Sequence, residues 1–287
     1  MYSATSWKDF AVLDTGDGEK LERWGDIILR RPDPQTIWPK RNPALWERAD
    51  ARYFRNERGG EWKFTRRLPE QWTLSYRDLR FKVHPTGFKH TGLFPEQAVN
   101  WDWMSGIVSA RTARHESTAV LNLFAYTGGA TMACAKAGAT VCHVDAAKGM
   151  TQWARENAQL CKLPETSVRW IVDDCLKFVR REIKRGNKYD GIVMDPPSYG
   201  RGPGGEVWKL EDCAFDLVNE AAQLLSDHPA FFLFNGYTTG LQPAVLKNLL
   251  DFAVCSRFGG HAEAEEVCLP AQAGGVLPCG ASGRWTP

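Results

Sequence analysis

Several patterns that would define a class of protein are missing from this chain of 287 residues. It has no run of 18 or more apolar residues, so we expect no helix that spans a membrane. The first ten residues have neither a basic start nor an apolar core, so we expect no signal peptide. The eight cysteines form no C-x-x-C pair and no histidines cluster, which argues against a zinc site or a disulfide framework. These absences predict a cytoplasmic protein with reduced, mostly structural cysteines and no bound metal.

Net charge is also small, at +2, but it is unevenly spread. Residues 40–82 hold 12 basic and six acidic residues. Aromatic residues interleave with them, among them Trp46, Tyr53, Phe54, Trp62, Phe64, Trp72 and Tyr76. Such a segment suits a nucleic-acid backbone with stacked bases. It also suits an ordinary β domain in which the aromatic residues form the core and the arginines are solvated, and composition alone does not decide between the two.

The first part of the chain is patterned as β structure, with short apolar stretches separated by turns. Segments 11–13 and 21–24 flank the turn residues 14–18 and predict a hairpin. We expect the next strand, 27–29, to be stopped by Arg31-Pro32-Asp33-Pro34. Two further strands are predicted at 72–76 and 79–83. Pro95 is expected to open a helix that runs to Met104.

After residue 117 the pattern changes to strands that alternate with helices. Predicted strands lie at 119–124, 140–144, 168–172, 189–194 and 230–234, with helices between them. This alternation is typical of a mostly parallel, doubly wound α/β sheet that is covered on both faces. We therefore predict a smaller N-terminal β-rich domain at 1–90 and a larger α/β domain at 91–287, with 91–117 as its lead-in. The Gly- and Ala-rich segment from 258 either supplies final strands or is partly disordered.

Three of these strands end on carboxylates: Asp145, Asp174 and Asp195. In an open α/β sheet, ligands bind beyond the carboxyl ends of the strands. Gly128-Gly129 after the first strand permits a tight turn and a close approach to the backbone. Asp145 follows Asn122 by 23 residues, close to the spacing that places an acid on ribose hydroxyls. No G-x-G-x-x-G is present, which argues against a nicotinamide cofactor.

The segment from Val120 to Thr131 resembles the first motif of class I S-adenosylmethionine-dependent methyltransferases, and in particular the branch that modifies large-subunit ribosomal RNA. The resemblance extends over about residues 90–240 and implies a Rossmann-like domain that binds S-adenosylmethionine. It implies that Asp145 binds the ribose, that Ala146 lies beside the adenine and that Asp174 contacts the adenine amino group. Residues 91–97 resemble the lead-in that packs over the cofactor. The cofactor-binding residues it implies are Phe94, Gln97, Asn122, Ala125, Tyr126, Thr127, Gly128, Thr131, Asp145, Ala146, Asp174 and Asp195.

Several of these residues also have a purely structural alternative. Gly128-Gly129 suits any tight strand–helix turn, and Asp145 and Asp174 suit helix caps. Phe94 and Gln97 suit an ordinary helix start. We prefer the cofactor interpretation because the motifs occur together and in order.

Asp195-Pro196-Pro197-Ser198-Tyr199 matches the D-P-P-S-[FY] motif of the same family. Two prolines remove backbone donors and leave carbonyls as acceptors, so Asp195, Pro196 and Pro197 suit an amino group whose lone pair must face a methyl donor. Tyr199 is predicted to stack on a flipped base, or else to be a buried tyrosine of a rigid loop. The Gly-rich residues 200–206 suit a lid, with Arg201 near a phosphate, or a flexible connection.

We therefore predict a methyltransferase that acts on a heteroatom of an RNA base, with ribosomal RNA as substrate. Cytosine-C5 enzymes of the related branch use a cysteine after the fifth strand, and residues 231–239 contain none. Two alternatives stay open. One is methylation of a protein side chain or a small molecule, and the other is a non-catalytic RNA-binding factor that retains the fold.

Overall fold

The structure is a computed structural model that describes residues 1–55, 59–201, 207–238 and 240–287. These residues form two compact units. The smaller unit comprises Ser3–Val99 and Cys268–Cys279. The larger unit comprises Met1–Tyr2, Asn100–Val267 and Gly280–Pro287.

The strands, in chain order, are β1 (Tyr2–Ser3), β2 (Phe10–Gly16), β3 (Glu19–Trp24), β4 (Ile27–Pro32), β5 (Ala51–Phe54), β6 (Glu61–Phe64), β7 (Trp72–Tyr76), β8 (Leu79–Val83), β9 (Ala119–Leu123), β10 (Thr140–Asp145), β11 (Val168–Val172), β12 (Gly191–Met194), β13 (Tyr199–Arg201), β14 (Val207–Lys209), β15 (Phe231–Gly236), β16 (His261–Pro270) and β17 (Val276–Thr286). The α-helices are α1 (Pro43–Trp46), α2 (Ala98–Ala113), α3 (Gly129–Lys136), α4 (Lys148–Leu160), α5 (Cys175–Arg185), α6 (Leu210–Ala222), α7 (Pro243–Leu250) and α8 (Ser256–Phe258). Short 3₁₀ turns at Pro95–Gln97 and Glu165–Ser167 and a π-helical turn at Asp251–Cys255 complete the helical elements of the described residues.

The smaller unit contains a five-stranded sheet of order β2-β3-β4-β5-β6 and the separate hairpin β7-β8. The predicted first hairpin is confirmed, since β2 and β3 pair in antiparallel fashion up to Gly16 and Glu19. The strand expected to stop at Leu29 instead runs through Pro32, which lies opposite Glu19 at the end of the β3–β4 ladder. A proline is tolerated at such a terminal position because few ladder bonds remain to be lost there.

The aromatic residues of the basic segment divide between core and surface. Trp46, Tyr53 and Tyr76 are buried, with at most 4% of their surface exposed. Trp46 packs with Leu13 and Leu21 in a hydrophobic cluster. Phe64, in contrast, is 53% exposed. The core interpretation therefore holds for some of these residues and not for others.

The larger unit is built on an eight-stranded sheet of order β1-β16-β17-β15-β12-β9-β10-β11. The strands from β15 to β11 are parallel to their neighbours, whereas β17 pairs with β15 in antiparallel fashion. This arrangement confirms the predicted α/β, mostly parallel sheet. It also shows that the segment after residue 258 supplies strands.

The helices of the larger unit follow the apolar spacing of the sequence. In α4 the residues Trp153, Ala154 and Ala158, which share one face at helical spacing, are buried. The helix expected from Pro95 to Met104 begins as a 3₁₀ turn and continues as α2 to Ala113. It extends further because Met104 and Val108, one turn apart on the same side of the helix, are both fully buried.

None of the eight cysteines is in a disulfide, and five of them are buried: Cys134, Cys142, Cys161, Cys175 and Cys268. Among the described residues, no helix is both long and apolar enough to cross a membrane. In the same part of the chain, no group of three or more His, Cys, Asp or Glu side chains could hold a metal ion.

Candidate active site

The carboxyl ends of four parallel strands meet at one edge of the large sheet. β9 lies between β10 on one side and β12 on the other. From β9 the chain winds outward to β10 and β11, then returns to β12 and continues to β15. β9 therefore marks the point at which strand order reverses, where open α/β sheets bind their ligands.

The turn after β9 contains three left-handed residues. The φ angles are +55° at Phe124, +50° at Tyr126 and +87° at Gly128. Glycine adopts this conformation freely, whereas each non-glycine residue there costs on the order of 1–2 kcal/mol. The amide of Ala125, between them, donates to the carbonyl of Val144 at 3.1 Å, which ties the turn to β10. Local strain of this kind is typical of functional sites. We name residues 124–129 the cofactor turn.

Both glycines of the turn meet close neighbours. A Cβ added at Gly129 would lie 2.6 Å from Cζ2 of Trp101, and one at Gly128 would lie 2.9 Å from Cε of Met132. Thr127, between Tyr126 and Gly128, is buried, and its carbonyl accepts a hydrogen bond from Nδ2 of Asn157 at 2.9 Å. The packing of the protein behind the turn therefore requires small residues at both positions, whether or not a ligand binds in front of the turn.

Asp145, at the end of β10, faces the cofactor turn. Its Oδ2 accepts from the amide of Tyr126 and its Oδ1 from the amide of Ala147, each at 2.8 Å. Burial raises the pKa of the carboxyl, and the two backbone donors partly offset that effect. A carboxylate has about four acceptor positions, so two amide bonds leave room for the two hydroxyls of a ribose. The residue therefore fits the role that the resemblance implies.

Asp174 begins α5 and serves as its N-cap. Its Oδ1 accepts from the amide of Lys177 at 2.8 Å, so the structural alternative holds for this residue. The side chain is nevertheless exposed, and a capping carboxylate retains acceptor positions for a further donor. Capping and contact with an adenine amino group are compatible.

Two apolar residues beside these acids are open to solvent. Ala146 follows Asp145 and is exposed. Val172 is 51% exposed and lies in register with Asp145 across β10 and β11. An exposed valine between two carboxylates suits the face of an adenine ring. The sequence analysis did not single out Val172, although its place at a strand end next to Asp173-Asp174 could have indicated it.

Asn122 and Thr131 lie beneath the cofactor turn, with side chains that are 2% and 0% exposed. Nδ2 of Asn122 donates to Oγ1 of Thr131 at 2.9 Å, and that hydroxyl lies 2.9 Å from Nδ1 of His143. Burial lowers the pKa of His143 to about 3, with a smaller contribution from Arg155, so the imidazole is neutral. This buried series of hydrogen bonds joins β9, α3 and β10. It places Asn122 and Thr131 where they position the turn. His143 was missed because a histidine inside an apolar strand carries no motif.

Asp195 extends the β12 ladder, because its amide donates to the carbonyl of Leu123 at 3.4 Å. Its Oδ1 atom is buried. Pro196 is buried and Pro197 is exposed. Tyr199 is 53% exposed and pairs with Lys209 in the β13–β14 hairpin. The buried alternative for this tyrosine is therefore wrong, and its ring is accessible to a ligand.

Trp208, on β14, lies between the segment 195–199 and the cofactor turn. Its Nε1 donates to the carbonyl of Pro197 at 2.7 Å. Its ring centroid is 5.9 Å from that of Phe124, at an interplanar angle of 45°. The amide of Leu210 adds a bond of 3.1 Å to the carbonyl of Ser198. The sequence analysis did not single out Trp208, which lies beyond the Gly-rich segment.

The structure does not test the predicted roles of Phe94, of Gln97 and of the Gly-rich lid with Arg201. Phe94 and Gln97 belong to the smaller unit, where the Phe94 ring lies 5.4 Å from that of His90 and Gln97 is buried. Their predicted contact with the cofactor stays a prediction. Residues 202–206 and the Arg201 side chain lie outside the described residues, so the lid also stays a prediction.

Comparisons with known proteins identify the family. Residues 47–208 match the family described as S-adenosylmethionine-dependent methyltransferase, which is more than half of the chain. This chain belongs to that family. The crystal structure of an S-adenosylmethionine-dependent methyltransferase from Agrobacterium tumefaciens superposes with a TM-score of 0.93 at 35% identity, covering 99% of this chain and 92% of the other. The chain thus has the Rossmann-like fold of this family.

Curated relatives carry a more specific name. The ribosomal RNA large subunit methyltransferase K/L of Colwellia psychrerythraea is 27% identical over 228 residues, which are 77% of this chain and 28% of that protein. The protein of the same name from Shewanella sp. strain MR-4 is 31% identical over 165 residues, or 57% of this chain and 21% of that protein. The match thus spans less than a third of the length of either relative.

Proposed function

We propose that this methyltransferase transfers a methyl group to a heteroatom of a base in large-subunit ribosomal RNA, in the cytoplasm. The observation that carries the proposal is the segment Asp195-Pro196-Pro197 at the carboxyl end of β12, next to the cofactor turn at the end of β9. The names of the curated relatives support RNA as the substrate.

The arrangement of the four strand ends fits S-adenosylmethionine. Asp145 has acceptor positions left for ribose hydroxyls, and Ala146 and Val172 offer apolar surface to the adenine. Asp174 retains an oxygen for the exocyclic amine. The amino end of α3 carries the partial positive charge that favours the carboxylate of the methionine moiety. The cofactor supplies the methyl group, which is activated by the neighbouring sulfonium.

The side of the site that would hold the base offers groups that accept hydrogen bonds. A proline at 197 removes the amide donor after Pro196, so the Asp195 carboxylate and the Pro196 carbonyl both suit an amino group. Two hydrogen bonds from the amine would orient its lone pair away from the protein and toward the methyl carbon. The chain's own part would be to hold that nitrogen, and its surplus proton would pass to Asp195 or to water. Most of the rate enhancement comes from positioning.

The base needs a surface on which to rest. Tyr199 is the last residue of the D-P-P-S-[FY] motif and is 53% exposed, so its ring is available to stack on a flipped base. A carbon target is disfavoured, because attack by C5 of cytosine needs a covalent nucleophile. Asn235, at the end of β15, is buried and accepts from Oγ of Ser282 at 2.6 Å, and the sequence has no cysteine between Cys213 and Cys255.

A methyl-transfer assay tests the proposal. RNA from a strain that lacks the gene would be incubated with tritiated S-adenosylmethionine, and the labelled nucleosides would be identified by mass spectrometry. We expect label on a base nitrogen of large-subunit RNA, and Asp195→Asn should abolish it while Asp216→Asn, an exposed site on α6, leaves it unchanged. Label in protein or small molecules but not in RNA would refute the substrate, and label on C5 of a pyrimidine would refute the heteroatom.

A further inference from the structure

The β5–β6 hairpin of the smaller unit lies within the basic, aromatic segment 40–82. Residues 51–67 contain six basic and two acidic residues together with four aromatic ones. We propose that the outer edge of this hairpin docks single-stranded RNA. The docking surface consists of Arg52, Phe54, Trp62, Lys63, Phe64 and Phe88. The inference rests on the proposed function, since it assigns the RNA a place to bind.

The hairpin offers an open edge. β6 is the last strand in the sheet order β2-β3-β4-β5-β6. Of its four residues, Glu61, Lys63 and Phe64 are exposed and Trp62 is partly exposed. Successive side chains of a strand point to opposite faces. β6 therefore presents Lys63 on one face of the sheet and Trp62 and Phe64 on the other.

On one face the cations exceed the acids. Arg52 and Lys63 lie in register across β5 and β6. Both also lie over the ring of Phe54, at 4.4 Å and 5.0 Å from its centroid. Arg52 contacts Glu19 at 3.1 Å, but Arg30 and Lys40 contact the same carboxylate. Lys40 also contacts Asp17 at 3.8 Å, and Glu61 lies opposite Phe54 on this face. The four cations Arg30, Lys40, Arg52 and Lys63 thus outnumber these three acids, and the surplus positive charge suits a phosphate backbone.

On the other face aromatic rings are exposed. Trp62 and Phe64 are stacked at 27° with centroids 6.5 Å apart. The Trp62 Nε1 donates to the carbonyls of Thr86 and Phe88 at 2.9 and 3.2 Å, which holds the 86–88 segment against the Trp62 side chain. Phe64 is 53% and Phe88 69% exposed. Two phenylalanines this exposed are costly to leave in water, and they suit the faces of nucleic-acid bases.

A single-stranded nucleic acid uses both halves of this surface. An acidic protein segment would engage the cations but would have no reason to cover Phe64 and Phe88. A strand of RNA places phosphates on Arg52 and Lys63 and stacks bases on the rings, as single-strand binders combine cations with aromatic platforms.

Binding of a fluorescein-labelled 16-nucleotide single-stranded RNA, followed by anisotropy between 50 and 200 mM salt, tests the inference. For Arg52→Gln/Lys63→Gln we expect affinity to fall roughly tenfold at 50 mM salt, and the slope of log K against log [salt] to flatten by about 1.4, or ~0.7 per lost phosphate contact. Phe64→Leu/Phe88→Leu keeps apolar bulk but removes stacking, and we expect a loss of roughly tenfold per ring with the salt slope unchanged. The two variants therefore report on different halves of the surface.

The control is Lys162→Gln/Lys184→Gln, which removes the same charge from exposed sites in the larger unit. All variants should retain the wild-type affinity for S-adenosylmethionine in calorimetry, which shows that they are folded. If both hairpin variants bind the RNA as tightly as the control, the docking surface is refuted even where the wild type methylates RNA. If the wild type neither binds nor methylates RNA, the proposed function itself fails. Equal competition by polyglutamate would show that charge alone binds, and would also refute the stacking half.

Discussion

Trp208 donates a hydrogen bond of 2.7 Å from its indole nitrogen to the carbonyl of Pro197. The same ring packs at 5.9 Å against Phe124 in the strained cofactor turn. One side chain therefore touches both the segment proposed to hold the acceptor and the turn proposed to hold the cofactor. Their relative placement determines whether the acceptor nitrogen faces the methyl group.

Trp208 should consequently act as a positioning residue. Trp208→Phe removes the hydrogen bond and keeps an aromatic ring near Phe124. We expect kcat to fall roughly tenfold, because one neutral hydrogen bond contributes ~1 kcal/mol and small misplacements are magnified in the transition state. The dissociation constant for S-adenosylmethionine should stay within a factor of about two. Steady-state kinetics together with calorimetry measure both, and Lys209→Ala on the same strand is the control. A purely structural role would instead lower the melting temperature and leave kcat intact.

Gly129 should tolerate no larger residue. A Cβ there would lie 2.6 Å from Cζ2 of Trp101, and overpacking of this kind costs roughly 1–3 kcal/mol. We expect Gly129→Ala to lower the free energy of unfolding by that amount in urea denaturation. Gly149, in α4, has no heavy atom within 4 Å of its added Cβ, so Gly149→Ala should raise stability by about 0.5–1 kcal/mol. Equal effects of the two substitutions would contradict the packing argument.

Cofactor affinity should depend on the ionisation of Asp145. Burial raises the pKa of this carboxyl, and ribose hydroxyls donate to the charged form. Affinity for S-adenosylmethionine should therefore be full at neutral pH and decline as the pH falls through a value above the usual range for aspartate. Asp145→Asn should weaken binding by roughly 10- to 100-fold, since a hydrogen bond to a charged group contributes about 1.5–3 kcal/mol, and should remove the pH step. Calorimetry between pH 4.5 and 8 tests this; a step that survives in the variant belongs to another group.

Two histidines, the buried His143 and the partly buried His90, should make the protein less stable in mild acid. Burial lowers the pKa of His143 to about 3 and that of His90 to about 4, from an ordinary value of 6.5. Below pH 6.5 the unfolded chain takes up protons that the folded one does not. The free energy of unfolding should thus decrease as the pH falls from 6.5 toward 4, by roughly 2 kcal/mol per histidine at pH 5.

Denaturation at several pH values in His143→Gln measures this slope apart from any uniform loss of stability. The variant should show a shallower pH dependence than the wild type. His261→Gln, at an exposed position of β16, is the control and should leave the slope unchanged. An unaltered slope in His143→Gln would mean that His143 is protonated in the folded state.

Most of the larger unit could be predicted because its elements are locally encoded. The strand at 168–172 has the predicted bounds. Asp174 caps α5, as its place before the helix suggested. The family was predicted from residues that are adjacent in sequence, and the comparisons confirm it.

What could not be predicted depends on distant pairings. No local pattern indicates that β17 lies against β15 in antiparallel fashion, or that Cys268–Cys279 belongs with the N-terminal residues. Similarly, Asn122 and Thr131 were assigned to the cofactor because they lie within the segment that resembles the family's first motif. Their bonds to each other and to His143 depend on how β9, α3 and β10 stack.

Cys175 gives the cofactor turn a chemical reporter. Its thiol is 3% exposed, accepts from the amide of Phe124 at 3.2 Å and lies 3.8 Å from the carbonyl of Val144. A maleimide can reach this sulfur only when the turn separates from β10. In a protein whose Cys213, Cys255 and Cys279 have been replaced by serine, the alkylation rate of Cys175 would measure how often the turn opens. A slower alkylation of Cys175 in the presence of a ligand would then show that the ligand keeps the turn closed.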